Sequence, residues 1–423
     1  MVVSLLGCGD LYRPIVTNVP PVQPAPQPTK YAVVISCGNN TNTSALTIDQ
    51  VCASSDVPGL ASLVDFSGDT LMVRVNLGNG PRWLGLDSNG VTSYIANSDG
   101  TINSFIVNNS TETNNVNTST LLSHANPSTL LSTKTYLYVT QPGRSAVAVM
   151  KGYPPSLYLE IPITDPQALT VNQNPVNLVG NSSTQRIYVI SQGGNASGCP
   201  ASGSNGTATG IEVSTNTISS VLPLGVCPIY GIMSSDNRRV FILNQGSGTV
   251  TVIDSQQNQI DANPNLNHGT IAVGNGPIWT DLYYTGAILA VANSQSNTLS
   301  LINVSTDSFG NDTQNFGQTI ATVPVGNNPS SVAVLQDGTR AYVANRGDGT
   351  VSVVSLISNT VLKTIPVAGH PISIAATTGT PLGKVYVVSP DTNLLTIIRT
   401  DNDTVYTTLP LTGNGVQVRV TAP

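Results

Sequence analysis

The sequence predicts an all-β fold: a β-propeller of eight four-stranded blades, closed by pairing strands from the two chain ends. Three observations carry this. Val, Ile, Thr, Ser and Asn occur in short runs punctuated by 38 Gly and 28 Pro, the composition of many short strands joined by turns. A two-part phrase recurs at a nearly constant period. The chain ends each carry a fragment of that phrase, and the fragments are complementary.

The first part of the phrase is a Gly/Asn-rich turn ending in proline. It reads Gly78-Asn79-Gly80-Pro81, Gly225-Val226-Cys227-Pro228, Gly274-Asn275-Gly276-Pro277, Gly326-Asn327-Asn328-Pro329 and Gly369-His370-Pro371, with weaker copies at Asn126-Pro127 and Asn174-Pro175. The second part is a strand, a polar turn and another strand. Its clearest copy is Tyr342-Val343-Ala344-Asn345, Gly347-Asp348-Gly349 and Thr350-Val351-Ser352-Val353-Val354, and segments 94–102, 241–254 and 291–299 repeat it. A further apolar run such as 361–367 completes four strands. Alternation within 350–354 sets Val351 and Val353 on one face and Ser352 on the other, which predicts a half-buried strand. The turn prolines at 81, 127, 175, 228, 277, 329 and 371 lie 42 to 53 residues apart. Four-stranded units of about 40–50 residues are what a propeller tiles around its axis.

At the C-terminal end, Gly413-Asn414-Gly415-Val416 repeats the turn with Val in place of Pro, and Gln417-Val418-Arg419-Val420 follows as one innermost strand. At the other end, 31–36 reads as a second strand lacking its first, while 59–65 and 70–75 supply the third and fourth. Seven complete units plus this shared one make eight. Seven blades is the alternative, if the irregular stretch 120–215 holds one unit fewer.

Tyr-Val-Ala-Asn followed by Gly-Thr-Val-Ser-Val-Val, with Gly-Asn-Asn-Pro upstream, resembles the YVTN-type β-propeller repeats of bacterial and archaeal cell-surface proteins. The resemblance spans about 31–421 and is strongest over 225–410; the second and third units depart most. It implies the fold and a surface or secreted setting. It implies no particular activity, because its motifs encode strands and turns.

Upstream of the repeats, Leu5-Leu6-Gly7-Cys8 resembles a lipobox, with Cys8 as the lipidated residue; Leu6 is bulkier than the small residue usual there. The competing reading is a plain tail with a stray Cys. Residues 1–8 are thus read as a signal-peptide remnant and 9–30 as a linker, with the propeller over 31–423. Five prolines within 20–28 favour extended polyproline II, a spacer of roughly 28 Å at ~3.1 Å per residue. No other segment approaches the ~18 apolar residues of a membrane span, so any membrane association rests on that lipid.

Charge narrows the partners. Lys and Arg number 16 against 22 acidic residues, and only 9% of the chain is charged. Such a chain has no electrostatic footprint for nucleic acid. If Cys8 carries lipid, four cysteines remain, and three pairings are open. Cys37 and Cys52 flank a long insertion in the shared blade; Cys199 lies in the insertion 192–209 and Cys227 in the next turn. Pairing Cys37–Cys52 and Cys199–Cys227 pins both loops, and the first closure is worth ~3 kcal/mol in the chain-entropy account. Four free thiols in a reducing compartment is the other reading.

No catalytic signature, zinc pattern or cofactor motif is present. Aspartates such as Asp99 and Asp348 sit in turns, where carboxylates cap backbone amides. Arg82, Arg346, Asp348 and His370 are expected on one mouth of the channel. Trp83, Tyr230 and Trp279, each two positions beyond a turn proline, are expected to line it. The competing reading packs these aromatics between blades. The sequence therefore points to a non-catalytic, extracytoplasmic binding or self-assembling module with a protein or glycan partner, its own copies included, and no metal or cofactor. The alternative is a propeller enzyme of the lactonase or quinoprotein sort, with its site at the channel mouth.

Overall fold

The computed structural model describes residues 30–38, 52, 58–107, 116–163, 174–193, 205–283, 288–377 and 383–421. They form eight antiparallel sheets. Each innermost strand packs against the next around a ring, and the last, Asn414–Val420, packs against the first, Pro81–Leu86. Blades 1 to 7 begin at Pro81, Leu130, Pro175, Pro228, Pro277, Pro329 and Ser373. Blade 8 is the shared one: Asn414–Val420 is innermost, then Tyr31–Cys37, Pro58–Asp65 and Leu71–Asn79. Its register runs from Ala32 opposite Val420 to Cys37 opposite Asn414, with a bulge at Ile35/Ser36. The count of eight and the closure follow the sequence reading, and the irregular stretch 120–215 holds the whole of blade 2 and the first three strands of blade 3. In blade 4 the fourth strand is split into Gln259–Ile260 and Thr270–Ala272.

The proline turns share one backbone device. Gly80, Asn126, Asn174, Cys227, Gly276 and Asn328, each just before its proline, adopt φ between 45° and 65°. Only Gly, and Asn at modest cost, visits this left-handed region readily, so Asn-Pro and Gly-Pro mark the same turn. In blade 7 the left-handed residue is Gly369, with φ 70°; His370 then separates it from the proline.

One expectation about burial is corrected. Thr350–Ser355 is not half-buried, because Ser352 is as inaccessible as Val351 and Val353. A blade is a slab between two neighbours. Val351 and Val353 face the core shared with blade 7, whereas Val354 joins the core shared with blade 5. The buried serine is satisfied by the asparagine of the repeat. Asn345 donates to Thr350 Oγ1 (3.0 Å) and Ser352 Oγ (2.9 Å). Asn244 and Asn293 make the same pair of bonds in their own blades, and Asn97 donates to Thr101 Oγ1 and, at the second place, to Asn103 Oδ1. The turn glycine lies directly on this amide: a Cβ on Gly326 would stand 2.6 Å from Asn345 Cγ. Gly, Asn and Thr recur together because they form one contact.

Cys37 and Cys52 are joined, with Cα atoms 5.8 Å apart. Cys227 is also disulfide-bonded, while Cys199, the other half of the expected pair, lies outside the described residues, as do Cys8 and residues 9–29 of the linker.

Candidate functional site

Innermost strands present alternate side chains to the central channel. Register defines two successive layers. In the first, Trp83, Tyr230 and Trp279 oppose Ala96, Leu243 and Ala292, one step in from the bulge that follows each turn proline. In the second, Gly85, Ile232, Asp281 and Arg419 occupy equivalent places two residues further along their strands.

The first layer bridges the channel. Trp83 of blade 1 meets Trp279 of blade 5, across the ring, with centroids 6.1 Å apart. Tyr230 of blade 4 stacks on Trp279 at 4.2 Å and 12° and lies 6.3 Å from Trp83. Arg419 reaches in from blade 8 and sits 5.5 Å from the Trp83 ring centre and 5.4 Å from that of Trp279, where ring quadrupoles attract a cation. The closing strand is itself fixed on both sides: Gln417 Oε1 accepts the Leu84 amide of blade 1, and the Val418 amide donates to Ser373 of blade 7.

Beyond the aromatic layer, toward the ends of the innermost strands, lie two compartments. The larger, about 590 Å³, is walled by blades 1 to 4, including Leu86, Leu131, Val179 and Met233, with Asn181 and Ser183 among its polar groups. The smaller, about 290 Å³, is walled by blades 4 to 7 and contains Asp281 and Gln336. Tyr230, Ile232, Arg419 and Val420 line both and divide them. Asp281 accepts amides from Leu282 (2.9 Å) and Val334 (2.8 Å). Desolvation nevertheless pushes its pKa up to about 6, against those two bonds and the attraction of Arg419. Asp281 is half-buried, with part of its surface on the smaller compartment. Burial likewise pushes the Tyr230 phenol up, opposed by Arg419.

The seven residues expected at the mouth therefore separate. Trp83, Tyr230 and Trp279 come together inside the channel, in contact with one another across it. The other four belong to the proline-turn face. Arg82 donates to Asn126 of the next turn (2.8 Å), a rim bridge that Ser330 repeats toward Pro371. Asp348 accepts the amide and side chain of Asn327 (2.7 Å each). His370 is exposed, and its Nδ1 lies 2.7 Å from Asp391, which also caps its amide. Burial pushes the Asp391 pKa up, but the His370 bonds outweigh it and hold the carboxyl low. Arg346 is buried, and that burial lowers its pKa against the pull of Asp391. Asp281 and Arg419 are the functional candidates that sequence reasoning missed. Both were legible by extending the alternation one step: Asp281 lies two beyond Trp279, as Arg419 lies two beyond Gln417. Among the described residues no group of three or more His, Cys, Asp or Glu is placed to hold a metal ion.

The fold and channel define an eight-bladed β-propeller with an aromatic bridge across its channel. Solved structures share the propeller fold. Apo AztD from Citrobacter koseri is 10% identical at TM-score 0.60, over 92% of this chain and 98% of its own. Dihydro-heme d1 dehydrogenase NirN in complex with DHE is 12% identical at TM-score 0.67, over 94% of this chain and 76% of its own. Hydrazine synthase of Kuenenia stuttgartiensis is 13% identical at TM-score 0.51, over 73% of this chain and 94% of its own. At such identities the likeness concerns the fold. No protein-family model and no curated protein matches the sequence.

Proposed function

We propose that this chain is a non-catalytic, exported binding module, anchored by lipid on Cys8 and held off the membrane by its proline-rich stalk, which takes its ligand in the central channel. The observation that carries the binding reading is the bridge of Trp83, Tyr230 and Trp279 across the channel, which lines the compartments beyond it. A volume near 590 Å³ suits a small molecule or the end of a glycan or peptide rather than a folded partner. Protein partners, or further copies of the chain, are left to the outer faces. Export is supported by the Cys37–Cys52 disulfide, since such bonds persist outside reducing compartments. The lipobox-like Leu5–Cys8 and the resemblance to surface YVTN-type repeats support it too.

The chain holds two tryptophans, Trp83 and Trp279, and both are in the bridge, so intrinsic fluorescence reads the compartments directly. Titrating the full chain with glycan fragments and short peptides is expected to find ligands that change this emission and compete with one another. Ligands that bind yet leave both tryptophans unperturbed would refute the channel site. Labelled fatty acid should enter the wild-type chain in cells and be absent from Cys8→Ser.

One observation favours an enzyme instead. Burial pushes the pKa of Asp281 up to about 6 beside a cavity, toward the range in which a general base works. Turnover of lactones or sugar acids that disappears in Asp281→Asn would establish that reading, and metal analysis of native material tests its cofactor.

A further inference from the structure

The geometry of the larger compartment points to a ligand class, and this inference rests on the channel-binding reading. We propose that the compartment binds a small aromatic anion, its flat body among the apolar walls beside Trp83 and Tyr230 and its acidic group on Arg419. Arg419 is the one cation lining either compartment among the described residues. It is held by ring faces rather than by a carboxylate: it lies 5.5 and 5.4 Å from two indole centres, and no ion pair within 4.0 Å involves it among the described residues. One donor of Arg419 meets the Tyr230 hydroxyl; the remaining in-plane donors of a guanidinium lying over aromatic faces suit a planar or tetrahedral anion.

The charges around Arg419 allow for such a ligand. Asp281 lies in the smaller compartment, on the far side of the partition, and both its oxygens accept backbone amides. Asp87, the carboxylate in the wall of the larger compartment, is turned to the Val91 amide of its own loop (2.8 Å). Tyr230, the remaining titratable neighbour, is kept neutral by burial. The larger compartment thus offers an acidic ligand one cation and no competing carboxylate in contact with it. Leu86, Leu131, Val179 and Ile232 supply apolar contact for a ring.

The test is calorimetric titration of the full chain with naphthalene-2-sulfonate, ionised at every working pH, and with the neutral, nearly isosteric naphthalene-2-sulfonamide. The sulfonate is expected to bind at least about tenfold more tightly, equivalent to about 1.4 kcal/mol. Arg419→Gln should bring the ratio close to one. Arg419→Lys, which keeps a cation without the planar fork, should retain a reduced preference and serves should the Gln variant fail to fold. Equal binding of the two probes, or a preference that survives Arg419→Gln, overturns the anion assignment; tryptophan emission that still responds leaves the channel reading intact. Failure of both probes to bind at millimolar concentration also overturns the assignment, and the glycan and peptide titrations then decide the channel reading separately.

Discussion

Tyr342 of blade 6 donates its buried phenol to the carboxylate of Asp403, the left-handed residue in the turn between the third and fourth strands of blade 7. Arg340, two residues earlier, pairs with the other oxygen of the same carboxylate. The arrangement repeats around the ring. Tyr138 donates to Asn216 (2.7 Å) and Tyr188 to Asn258 (3.1 Å), each on the following blade, and Lys384 pairs with Asp69 (2.6 Å) across the blade 7–8 boundary. Blades that otherwise meet through apolar faces are thereby fixed at their outer ends.

Tyr342→Phe is expected to cost about 1.5–3 kcal/mol, because it removes a bond to a charged acceptor and leaves that acceptor half-buried. The fold supplies its own control. Tyr386 is equally buried, but its hydroxyl has no hydrogen-bond partner among the described residues, so Tyr386→Phe should be neutral or slightly stabilising. Urea denaturation of the two variants distinguishes them; equal losses would mean that the inter-blade bond contributes nothing.

Asn345 and Gly326 should behave as one unit. Asn345→Ala strands Thr350 and Ser352 and is expected to cost about 2 kcal/mol. Gly326→Ala drives a Cβ to 2.6 Å from Asn345 Cγ and should cost a similar amount by displacing the same amide. Since each change damages one shared contact, the double variant should lose clearly less than the sum. Strict additivity in a double-mutant cycle would separate the two residues.

These contacts explain what could be read in advance. Period, blade count and closure were legible because Gly-Asn-x-Pro and Tyr-Val-Ala-Asn are backbone and packing requirements, repeated wherever the geometry repeats. Arg340, Tyr342 and Asp403 were visible as letters but not as partners, since the bond joins residues 61 positions apart. Trp83, Tyr230 and Trp279 could be singled out because each lies two positions beyond a turn proline. Their mutual contact was not legible, because it depends on which blades face each other across the ring. Arg346, Asp348 and His370 drew attention as chemical groups; Asp348 and the Asp391 beside His370 are turn caps, and local sequence does not distinguish a cap from a ligand group.

Asp281 should report its ionisation through the neighbouring indoles. Its pKa stands at about 6 against an ordinary 3.8, and none of the three histidines lines either compartment. Tryptophan emission is expected to change with a midpoint near pH 6, and Asp281→Asn should abolish the transition. The stability effect has a definite sign. The folded chain holds this proton more tightly than the unfolded one, so the group's contribution is complete below about pH 4 and is lost as pH rises through about 6. A midpoint near 4 would place Asp281 in ordinary solvent.

The Cys37–Cys52 bond should matter most for closing the ring. Cys37 ends the strand that pairs with Asn414–Val420, and its Sγ lies 3.8 Å from the Asn414 carbonyl. Arg419 enters the channel from that same C-terminal strand. Cys52→Ser is expected to cost at most about 3 kcal/mol by the loop-entropy argument. Amide exchange should accelerate first in 31–37 and 414–420, before the blades on the far side of the ring, and tryptophan emission should shift as Arg419 loses its fixed position over the indoles. Exchange that rises uniformly around the ring would show instead that the disulfide stabilises the chain as a whole and has no special part in the closure.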